Sequence, residues 1–572
     1  MAVLTKNAIE ILNDRYLLKD NKGNIVETAN QLFKRVAKFV AVTEKDNRST
    51  WEKKFFQVMH DLDFLPNSPT LMNAGVLNGQ LSACFVLPVR DNLNGIFTTL
   101  KNAALIHQGG GGTGFNFSNL RPTNDRVSSP GGTSSGPIAF IKIYDAATEN
   151  VKQGGKRRGA NMGILNIDHP DIESFITSKS DKNGLRNFNI SVGITDEFMR
   201  AVRNNLHWNL VNPRTFKVEK KVKARHLWHL ITKEAWKTGD PGLLFFDTIN
   251  ENNPTPHLGT IKSTNPCGEV PLLDYESCNL GSVNLSHMVS IDENKFNIDW
   301  DKLSSTIEIA IRFLDNIISV NYYLLPEIKQ ITLKTRKIGL GVMGWAEMLI
   351  KLEIPYASKQ AVDLGEKLMN FFKEKSYKTS EKLAKEKGSF TEWIKSKHYP
   401  LQPLRNATCN SIAPTGTISV LADTTYSIEP LFALVYKRTG ILGNRTQIEI
   451  NKPFKDKMKA LGLWNKTIEQ TIFKTGSVRQ IDTIPDGIKN IFETSLEISW
   501  EYHLLHQKAF QKYTDNAVSK TINLPNSTSI KEISEIYWKA WEYKLKGITI
   551  YRYGSRDQQV LQKCNYNTRI DC

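Results

Sequence analysis

From about residue 80 onward, short apolar runs alternate with stretches of helical periodicity, and this alternation limits the fold more than any other feature. Cys84–Val89, Gly163–Ile167 and Phe188–Ile194 have the length and composition of buried strands. Leu303–Val320 instead predicts a helix, because an apolar side chain returns to one face at each turn. Strands that alternate with helices indicate an α/β fold with parallel strands, but the periodicity does not distinguish an open sheet from a barrel.

The chain begins with a region of helical periodicity that spans about 75 residues. Two apolar stripes carry this prediction, and their members are Ile9, Leu12, Tyr16 and Leu17, then Leu32, Val36, Phe39 and Val40. We therefore expect a helical region over residues 1–75, an α/β domain over residues 76–560 and a tail over residues 561–572.

The chain carries 75 basic and 58 acidic residues, which gives a net charge of +17. This balance suits anionic partners, either nucleic acid or phosphorylated small molecules. A solvated lysine-rich surface explains it equally well, and Lys373–Lys387 has the pattern of an exposed helix face. We predict no nucleic-acid partner, because the chain has no concentrated basic arm and no known binding motif.

Two features predict a cytoplasmic protein without membrane contact. No apolar run reaches the roughly 18 residues that a membrane span needs. The first 20 residues interrupt their apolar positions with charges and lack the cleavage site of a signal peptide.

The six cysteines are Cys84, Cys267, Cys278, Cys409, Cys564 and Cys572. In a large cytoplasmic chain, this number argues against a disulfide framework. The lack of CxxC pairs argues against a structural zinc site, so we predict no metal ligands. Two interpretations remain, namely buried inert thiols and catalytic thiols.

Three glycine-rich segments lie close together: Gly109–Gly114, Gly131–Gly136 and Gly154–Gly159. Glycine lets backbone N–H groups approach an anion, so the three segments suggest phosphate binding. Ordinary tight turns are the alternative, and none of the segments fits the P-loop pattern.

The segment Asn265–Glu269 (NPCGE) is the most informative for chemistry. In an extended segment, Asn265, Cys267 and Glu269 would point to the same side and could face one substrate. The alternative is a turn built on Pro266 and Gly268, with a packed thiol and a solvated carboxylate. The spacing alone favours this alternative.

Other segments change that weighting. Cys278 stands in SCNL, Cys84 stands in LSACFV, and Ser411–Ser419 reads SIAPTGTIS. Together with NPCGE, these motifs resemble the large subunit of ribonucleotide reductases, and in particular the adenosylcobalamin-dependent class II. The resemblance extends from NAIEILNDRYLLKD near the N-terminus, through LPNSPTLMNAG and GGGGTGFNFSNLRP, to GITIYRYGSRDQQVL, and so covers nearly the whole chain.

The resemblance implies a role for each residue of the cluster. Cys267 would carry a thiyl radical that abstracts the 3′ hydrogen of the ribose, and Glu269 would be the general base for the 3′-hydroxyl. Asn265 would hold the sugar hydroxyls by hydrogen bonds. Cys84 and Cys278 would be the reducing pair that ends as a disulfide. A positioned base contributes roughly 10²–10⁴-fold, and a dithiol is a compact source of two electrons.

Two nucleotide sites are also implied. The implied substrate contacts are Ser68, Ala83, Gly112, Pro414, Thr415, Gly416, Thr417 and Ile418, of which the last five would cradle the phosphates. The implied contacts of a deoxynucleotide effector are Asp91, Arg121, Lys152, Gln153 and Arg157. Residues 121–135 would form one specificity loop, and residues 152–161 would link effector to substrate. A helix-capping turn and an exposed basic turn are the respective alternatives.

The fold implied by the resemblance is a ten-stranded α/β barrel made of two antiparallel five-stranded halves, with the radical cysteine on a central finger loop. The implied cofactor is adenosylcobalamin. A class I chain, which needs a separate radical-generating subunit, is the alternative. It is disfavoured because Tyr551 and Tyr553 are not adjacent. A homodimer and a thioredoxin- or glutaredoxin-type reductant are the implied partners. We expect no ATP cone before the core, and the wide spacing of Cys564 and Cys572 weakens the prediction of a redox tail.

Three further patterns have simpler interpretations. Gly339–Gly344 fits the GxGxxG fingerprint of dinucleotide sites, with Asp363 beyond it, but the preceding LKTRK is too basic for a buried strand. His503 and His506 lack the HExxH pattern of a zinc site and are expected to be packed or exposed. Cys409 is expected to be a packed thiol.

Overall fold

The computed structural model describes residues 4–127, 131–153, 157–180, 184–292, 295–439, 446–555 and 561–563. Its α-helices are Lys6–Ile11, Ala29–Val40, Arg48–His60, Ser68–Asn73, Leu93–Gln108, Gly136–Asn150, Ile172–Ile176, Asp196–Arg203, Ala224–Thr238, Phe246–Glu251, Trp300–Val320, Pro326–Thr335, Trp345–Lys351, Lys359–Lys387, Ile418–Leu421, Lys452–Ala460, Lys466–Thr475, Asp486–Ile491, Trp500–Gln511 and Ile530–Glu542. In this part of the chain, no helix is both long and apolar enough to cross a bilayer.

The N-terminal region is helical, as its periodicity predicts. Thr28 begins the helix Ala29–Val40 with a capping box, in which its hydroxyl and the Gln31 side chain satisfy each other's backbone N–H groups. Both predicted stripes contribute to the core except at Ile9, which lies in the helix Lys6–Ile11 but is 46% exposed. The helix turns Ala8 inward instead.

The predicted helix over Leu303–Val320 is present as Trp300–Val320. It packs between the N-terminal helices and the sheet, and its predicted apolar stripe is fully buried. Each buried aliphatic side chain of this kind stabilises the fold by about 1.5–3 kcal/mol. Arg312 on the same helix donates to Glu44 at 2.9 Å and stacks on Trp51.

One sheet of ten strands organises the rest of the described chain. Its strands are Phe64–Pro66 (β1), Cys84–Val86 (β2), Gly112–Asn116 (β3), Asn161–Asn166 (β4), Phe188–Ile194 (β5), Gly242–Phe245 (β6), Ser277–Asn284 (β7), Ile338–Met343 (β8), Thr521–Leu524 (β9) and Gly547–Arg552 (β10). Short hairpins add Lys152–Gln153 with Arg157–Arg158, His207–Val211 with Val218–Lys223, Val289–Asp292 with Lys295–Ile298, and Val435–Thr439 with Thr446–Ile450 and Leu561–Lys563.

The strands form two parallel halves that meet in antiparallel fashion. Strands β2, β3, β4, β5 and β6 run parallel to one another. In the other half, β7 is parallel to β8 and β9 is parallel to β10. Parallel bridges from Leu340 to Asn410 and from Ile412 to Val518 join β8 to β9. Antiparallel pairs β2–β7 and β6–β10 connect the halves, so the ten strand positions close into a barrel.

Strand β1 lies outside this ring of ten. It pairs antiparallel with β7, on the edge that β7 also offers to β2. The segment Asn410–Ile412 occupies the remaining position of the second half. One position of the barrel is therefore held only by isolated bridges.

Between β6 and β7 the chain folds inward as a finger, the hairpin of Ser263–Thr264 with Pro271–Leu272. A Cβ atom at Gly114 would lie 1.6 Å from the Thr264 carbonyl oxygen, so β3 carries a glycine where the finger crosses it. Asn189 of β5 donates to Pro266 O at 2.9 Å, while Ala517 N–H donates to Glu269 O at 2.9 Å. The finger thus contacts both halves of the barrel.

The GxGxxG segment is part of strand β8, and its strand residues are all buried. A Cβ atom at Gly341 would lie 2.2 Å from Ser411 O, so this glycine permits close packing of the segment Asn410–Ile412. A dinucleotide fingerprint needs its glycines in the turn between a strand and a helix. The dinucleotide interpretation therefore fails. LKTRK itself is not a strand, as expected, because Leu333–Thr335 ends the helix Pro326–Thr335 and the strand begins at Ile338. Lys337 is buried because it pairs with Glu276 at 2.7 Å.

Candidate active site

The turn at Asn265–Gly268 forms the tip of the finger. Asn265 N–H donates to Val270 O at 3.2 Å, and Val270 N–H returns a bond to Asn265 Oδ1 at 3.0 Å. Gly268 closes the turn with a bond to Asn265 O at 3.1 Å and has a φ of +80°. The backbone is therefore the turn on Pro266 and Gly268 that the spacing favoured, and not the extended alternative. Its side chains differ from that prediction, because Glu269 is buried and Cys267 is exposed.

Cys84 and Cys278 stand directly opposite each other on the antiparallel strands β2 and β7. Both are buried, and both are unbonded thiols. Facing residues of an antiparallel pair have Cα atoms about 4.5–5.5 Å apart. That separation lies within the range that a disulfide requires. The fold thus brings together two thiols that are far apart in the sequence.

Asn265 and Cys267 connect the finger to this thiol pair. The Asn265 side-chain amide donates to Cys84 Sγ at 3.1 Å. Cys267 is exposed, whereas Cys84, Cys278 and Cys409 are buried. Cys267 is close enough to Cys84 to contribute to the pKa of that thiol. The structure therefore gathers three of the predicted cysteines around the finger tip.

Glu269 is the buried carboxylate of the site, with 3% of its surface exposed. Burial raises the pKa of Glu269 to about 7, although a hydrogen bond from Asn265 opposes the shift. Its Oε2 atom has no hydrogen-bond partner among the described residues. Its carbonyl oxygen is held by Ser411 Oγ at 2.8 Å and by Ala517 N–H at 2.9 Å. The backbone of Glu269 is thus fixed while one carboxylate oxygen stays available.

The thiols and the carboxylate differ in protonation at neutral pH. Burial, followed by the nearby Glu269, raises the pKa of Cys84 well above that of an ordinary thiol. Burial likewise raises the pKa of Cys278, and Lys337 lowers it only in part. Both thiols therefore keep their protons near pH 7, where about half of the Glu269 carboxyls are ionised. The site combines two hydrogen donors with one base.

Ala83 and Gly112 lie beside the thiol pair. Ala83 N–H donates to Cys278 O at 3.2 Å, and Gly112 N–H donates to Ala83 O at 2.8 Å. A Cβ atom at Gly112 would lie 2.7 Å from Pro266 Cγ, so the finger tip rests against this glycine. The family resemblance predicts that Ala83 and Gly112 contact the substrate, and in the fold both residues lie beside the finger.

The predicted phosphate segment, Pro414–Ile418, begins next to the same cluster. Ala413 packs against the apolar side chains around Cys84 and Cys278. Thr415 has a φ of +57°, and its hydroxyl accepts a bond from Ser427 N–H at 2.8 Å. Gly416 is exposed, with open space where a Cβ atom would stand. The segment ends in the short helix Ile418–Leu421, so the alternative of a helix-capping turn also describes its backbone.

Arg15 is a residue that the sequence analysis missed. Its guanidinium donates to Thr417 Oγ1 at 3.4 Å, which brings a cation from the N-terminal region to the phosphate segment. The neighbouring Tyr16 hydroxyl lies 2.7 Å from Ser68 Oγ, so Ser68 reaches the same face. No local pattern distinguishes Arg15 from other arginines, and only its contact with Thr417, made from the helical turn Leu12–Tyr16, identifies it.

Family comparisons agree with this geometry. The profile for the ribonucleotide reductase barrel domain matches residues 82–402 and 397–551, and the profile for the ribonucleotide reductase all-alpha domain matches residues 2–79. The chain belongs to the family of ribonucleotide reductase large chains. The family resemblance noted in the sequence is therefore confirmed.

Individual relatives support the same assignment. A vitamin B12-dependent ribonucleoside-diphosphate reductase of Thermoplasma acidophilum is 46% identical over 619 residues, covering 98% of this chain and 80% of that protein. The enzyme of the same name from Mycobacterium tuberculosis is 46% identical over 564 residues, with coverage of 98% and 80%. A class Id ribonucleotide reductase alpha subunit of Actinobacillus ureae superimposes with a TM-score of 0.79 at 24% identity, covering 96% of this chain and 97% of its own. This superposition confirms the predicted barrel fold.

Asp91 and Arg121, two of the predicted effector residues, contact each other. Arg121 Nε donates to Asp91 Oδ2 at 2.8 Å, and Arg121 N–H donates to Asp91 Oδ1 at 3.1 Å. Residues 121–135 fold back on themselves through a bridge between Arg126 and Thr133, but residues 128–130 lie outside the described residues. The two implied contacts are thus bonded to each other.

The second effector loop is described only in part. Lys152–Gln153 pairs antiparallel with Arg157–Arg158, so these two segments form the paired strands of a hairpin. Residues 154–156 and the side chains of Lys152, Gln153 and Arg157 lie outside the described part of the reductase, so their predicted effector contacts remain predictions.

The remaining predictions concern two histidines, the other cysteines and metal ligands. His503 and His506 are buried, and their Nε2 atoms bond to Ser495 O at 3.0 Å and to Tyr356 O at 2.9 Å. Cys409 is a buried thiol, as expected. Cys564 and Cys572 lie outside the described residues. No cluster of metal-ligating side chains occurs within the described ranges.

Proposed function

We propose that this chain reduces ribonucleoside diphosphates to 2′-deoxyribonucleoside diphosphates by a thiyl-radical mechanism. The observation that carries the proposal is the register of Cys84 opposite Cys278, with the finger of Cys267 and Glu269 bonded to it through Asn265. The choice of diphosphates follows the names of the relatives at 46% identity.

The reaction begins when a thiyl radical on Cys267 removes the 3′ hydrogen of the ribose. Cys267 then holds that hydrogen as a thiol, and the ribose carries the radical. Ionised Glu269 accepts the proton of the 3′-hydroxyl, which promotes loss of the neighbouring 2′-hydroxyl. Asn265 orients the sugar hydroxyls from the finger tip.

The reducing pair supplies the remaining atoms. One thiol of Cys84 and Cys278 protonates the departing 2′-hydroxyl, which leaves as water. The pair gives up two hydrogens and two electrons in all, so the 2′ carbon gains hydrogen and the sulfurs form a disulfide. Cys267 returns its hydrogen to the 3′ carbon and becomes a radical again, and Glu269 returns its proton. An external dithiol of the thioredoxin or glutaredoxin type then reduces the disulfide.

The phosphates bind at Pro414–Ile418 through backbone N–H groups and hydroxyls. Open space at Gly416 leaves room for an anion, and Arg15 supplies a nearby positive charge. The adjoining Ser68, Ala83 and Gly112 place the sugar and phosphates between this segment and the finger.

Adenosylcobalamin is the proposed source of the radical. The residues fit this group, because Cys267 is exposed and a Cβ atom at Gly268 would meet open space. When bound, the cofactor supplies the one-electron chemistry that forms the thiyl radical. Asn265–Gly268 would border it, and the turn would present Cys267 to it.

A deoxynucleotide bound near Asp91, Arg121 and the hairpin of residues 152–158 is proposed to select the base. Control of this kind is a difference in affinity between states, so substrate must also change effector affinity. The reducing conditions of the cytoplasm suit an enzyme that cycles a dithiol.

One experiment tests the proposal directly. The purified chain is incubated with a ribonucleoside diphosphate, dithiothreitol and a deoxynucleotide, with and without adenosylcobalamin, and deoxynucleotide product is measured. We expect product only with the cofactor and none from Cys267→Ser. Product that instead requires a metal-loaded second subunit would reject the cobalamin assignment in favour of the class I alternative. No product under any of these conditions would reject the proposed reaction.

A further inference from the structure

A chain of buried polar side chains runs beneath the hairpin of residues 152–158. Its members are His107, Thr113, Asn161 and Thr148, and each is at most 4% exposed. His107 Nε2 lies 2.9 Å from Thr113 Oγ1, which donates to Asn161 Oδ1 at 2.7 Å. Asn161 Nδ2 donates to Thr148 Oγ1 at 2.9 Å, and Thr148 Oγ1 donates to Tyr144 O at 2.7 Å.

Every proton in this chain is assigned by its partners. The hydroxyl hydrogen of Thr113 goes to Asn161, so His107 must donate from Nε2. Burial lowers the pKa of His107 to about 4, so the ring is neutral near pH 7 and has one N–H to give. The chain is therefore directional, and loss of any member leaves a buried polar group without its partner.

The four residues come from both ends of the hairpin and from the substrate side. Thr148 lies near the end of the helix Gly136–Asn150, just before the hairpin, and Asn161 begins β4 just after it. A Cβ atom at Gly159 would lie 2.7 Å from both His107 Nδ1 and Thr148 Cγ2, so the returning backbone rests on the chain. The two stems of the hairpin are thus tied together through Asn161.

Thr113 connects the stems to the active site. It pairs with Asn161 in the register of β3 and β4, and Thr113 N–H donates to Ala160 O at 3.2 Å. The preceding residue, Gly112, contacts Pro266 of the finger and bonds to Ala83. Thr113 is therefore the strand residue that connects the hairpin stems to the residue beside the finger tip.

We infer that His107, Thr113, Asn161 and Thr148 are positioning residues that couple the hairpin of residues 152–158 to substrate choice. This inference rests on the effector control proposed above. The four residues touch neither nucleotide; they transmit the position of the hairpin stems to Gly112. A buried polar network with one unsatisfied member is less stable than an apolar core of the same shape. The network therefore favours the single arrangement in which every member is bonded.

The test uses Thr148→Val and Thr113→Val, which keep the shape of the side chain and remove one hydroxyl. Thr232→Val is the matched control, because Thr232 is also buried and donates to a helix carbonyl four residues back at 3.0 Å, in the helix Ala224–Thr238. For each holoenzyme, the ratio of kcat/KM for two ribonucleoside diphosphates is measured with and without a deoxynucleotide. Binding of the deoxynucleotide is measured separately.

We expect both network variants to reduce the effector-induced change in this ratio by roughly 2- to 30-fold. Thr148→Val is expected to keep turnover without effector, and Thr232→Val is expected to keep the full response. If wild type has no effector-induced change, the proposed effector control is wrong. If wild type responds and both network variants respond to the same extent, the coupling inference is overturned. Loss of thermal stability with an intact response would likewise reduce the network to a structural role.

Discussion

The finger and the proposed effector face, which comprises Asp91, Arg121 and Asp125, hold their charged groups in opposite environments. On the finger, Glu269 is buried without a basic partner, and its pKa rises to about 7. On the effector face, Asp91 is bonded to Arg121 on a partly exposed surface. Asp125 on the same face is bonded to Arg214, which lowers the pKa of Asp125 well below its usual range. The finger thus holds a buried carboxylate without a counter-charge, whereas the acidic groups of the effector face are paired and only partly buried.

This contrast is the one expected between a reactive site and the proposed effector site, whose groups would rearrange on binding. A carboxylate that titrates near neutral pH can accept a proton during a reaction and release it again. A surface ion pair contributes only about 0–1 kcal/mol, so an incoming anion can replace one partner at little cost. Variants of the two regions test whether catalytic activity depends on the buried groups that lack a counter-charge.

The largest effect is expected from the exposed thiol of the finger. Cys267→Ser keeps the size of the side chain but removes the atom that carries the radical, so activity should fall by at least roughly 10³-fold. Product formation with saturating cofactor measures this loss, and nucleotide binding by calorimetry serves as the control because it should be kept. A Cys267→Ser enzyme that retains a tenth of the activity contradicts the role of this thiol.

Glu269→Gln is expected to lower kcat by about 10²–10⁴-fold, because the amide cannot accept the proton. In wild type, only the ionised carboxylate acts as base. Since the pKa of Glu269 is about 7, kcat/KM should rise as the pH increases towards 7 and level off above it. The pH profile of wild type tests the value, and the residual activity of the variant should lack this rise. A wild-type profile that is flat between pH 5.5 and 8 would show that Glu269 does not titrate as the base.

Part of the fold and of the candidate site could be predicted from residue patterns, but not all of it. The helix Trp300–Val320 and strand β5 follow from apolar periodicity, because a buried stripe repeats within one window of sequence. The facing position of Cys84 and Cys278 depends on a pairing between distant strands, which no local pattern contains. There, only the family resemblance anticipated the contact.

Local patterns misled where tertiary contacts override them. Gly339–Gly344 matches the GxGxxG fingerprint, yet Gly339 and Gly341 lie within strand β8 and not in a turn. Ile9 belongs to a helical stripe but faces outward, because the core is reached by Ala8 instead. Arg15 could not be predicted as a neighbour of the phosphate segment, since its partner Thr417 lies 402 residues away.

On the effector face, Asp91→Asn should have a smaller effect than either finger variant. It removes the charge that holds Arg121 and should change effector affinity by about tenfold or less, within the usual range of coupling energies. Turnover without effector should stay within about twofold of wild type, since exposed pairs add little stability. Effector titration of the substrate ratio measures the shift. If Asp91→Asn abolishes turnover in the absence of effector, the proposed separation of the two regions is wrong.

The smallest effect is expected for Lys546, a second buried ionisable group, which lies behind the finger. It contacts the two residues just before Ala517, and Ala517 N–H bonds Glu269 O. Lys546 Nζ donates to the carbonyl oxygens of Asp515 and Asn516, and burial lowers the pKa of Lys546 to about 7. The charged groups acting on it are Asp515, which raises its pKa, and Lys373 and Lys337, which lower it. Between pH 7 and about 10.5, the unfolded chain holds a proton that the folded chain has released.

The free energy of unfolding therefore gains a positive slope from Lys546 in this pH window, of at most about 1.4 kcal/mol per pH unit. Below pH 7 the lysine is charged in both states, and the slope vanishes. Lys546→Met should remove this contribution, as measured by urea unfolding at pH 7.5, 8.5 and 9.5. The exposed Lys531→Met should leave the wild-type slope intact. Equal slopes in wild type and Lys546→Met would mean that this lysine keeps its proton. The difference between the finger region and the effector face would then be smaller than the burial of Lys546 implies.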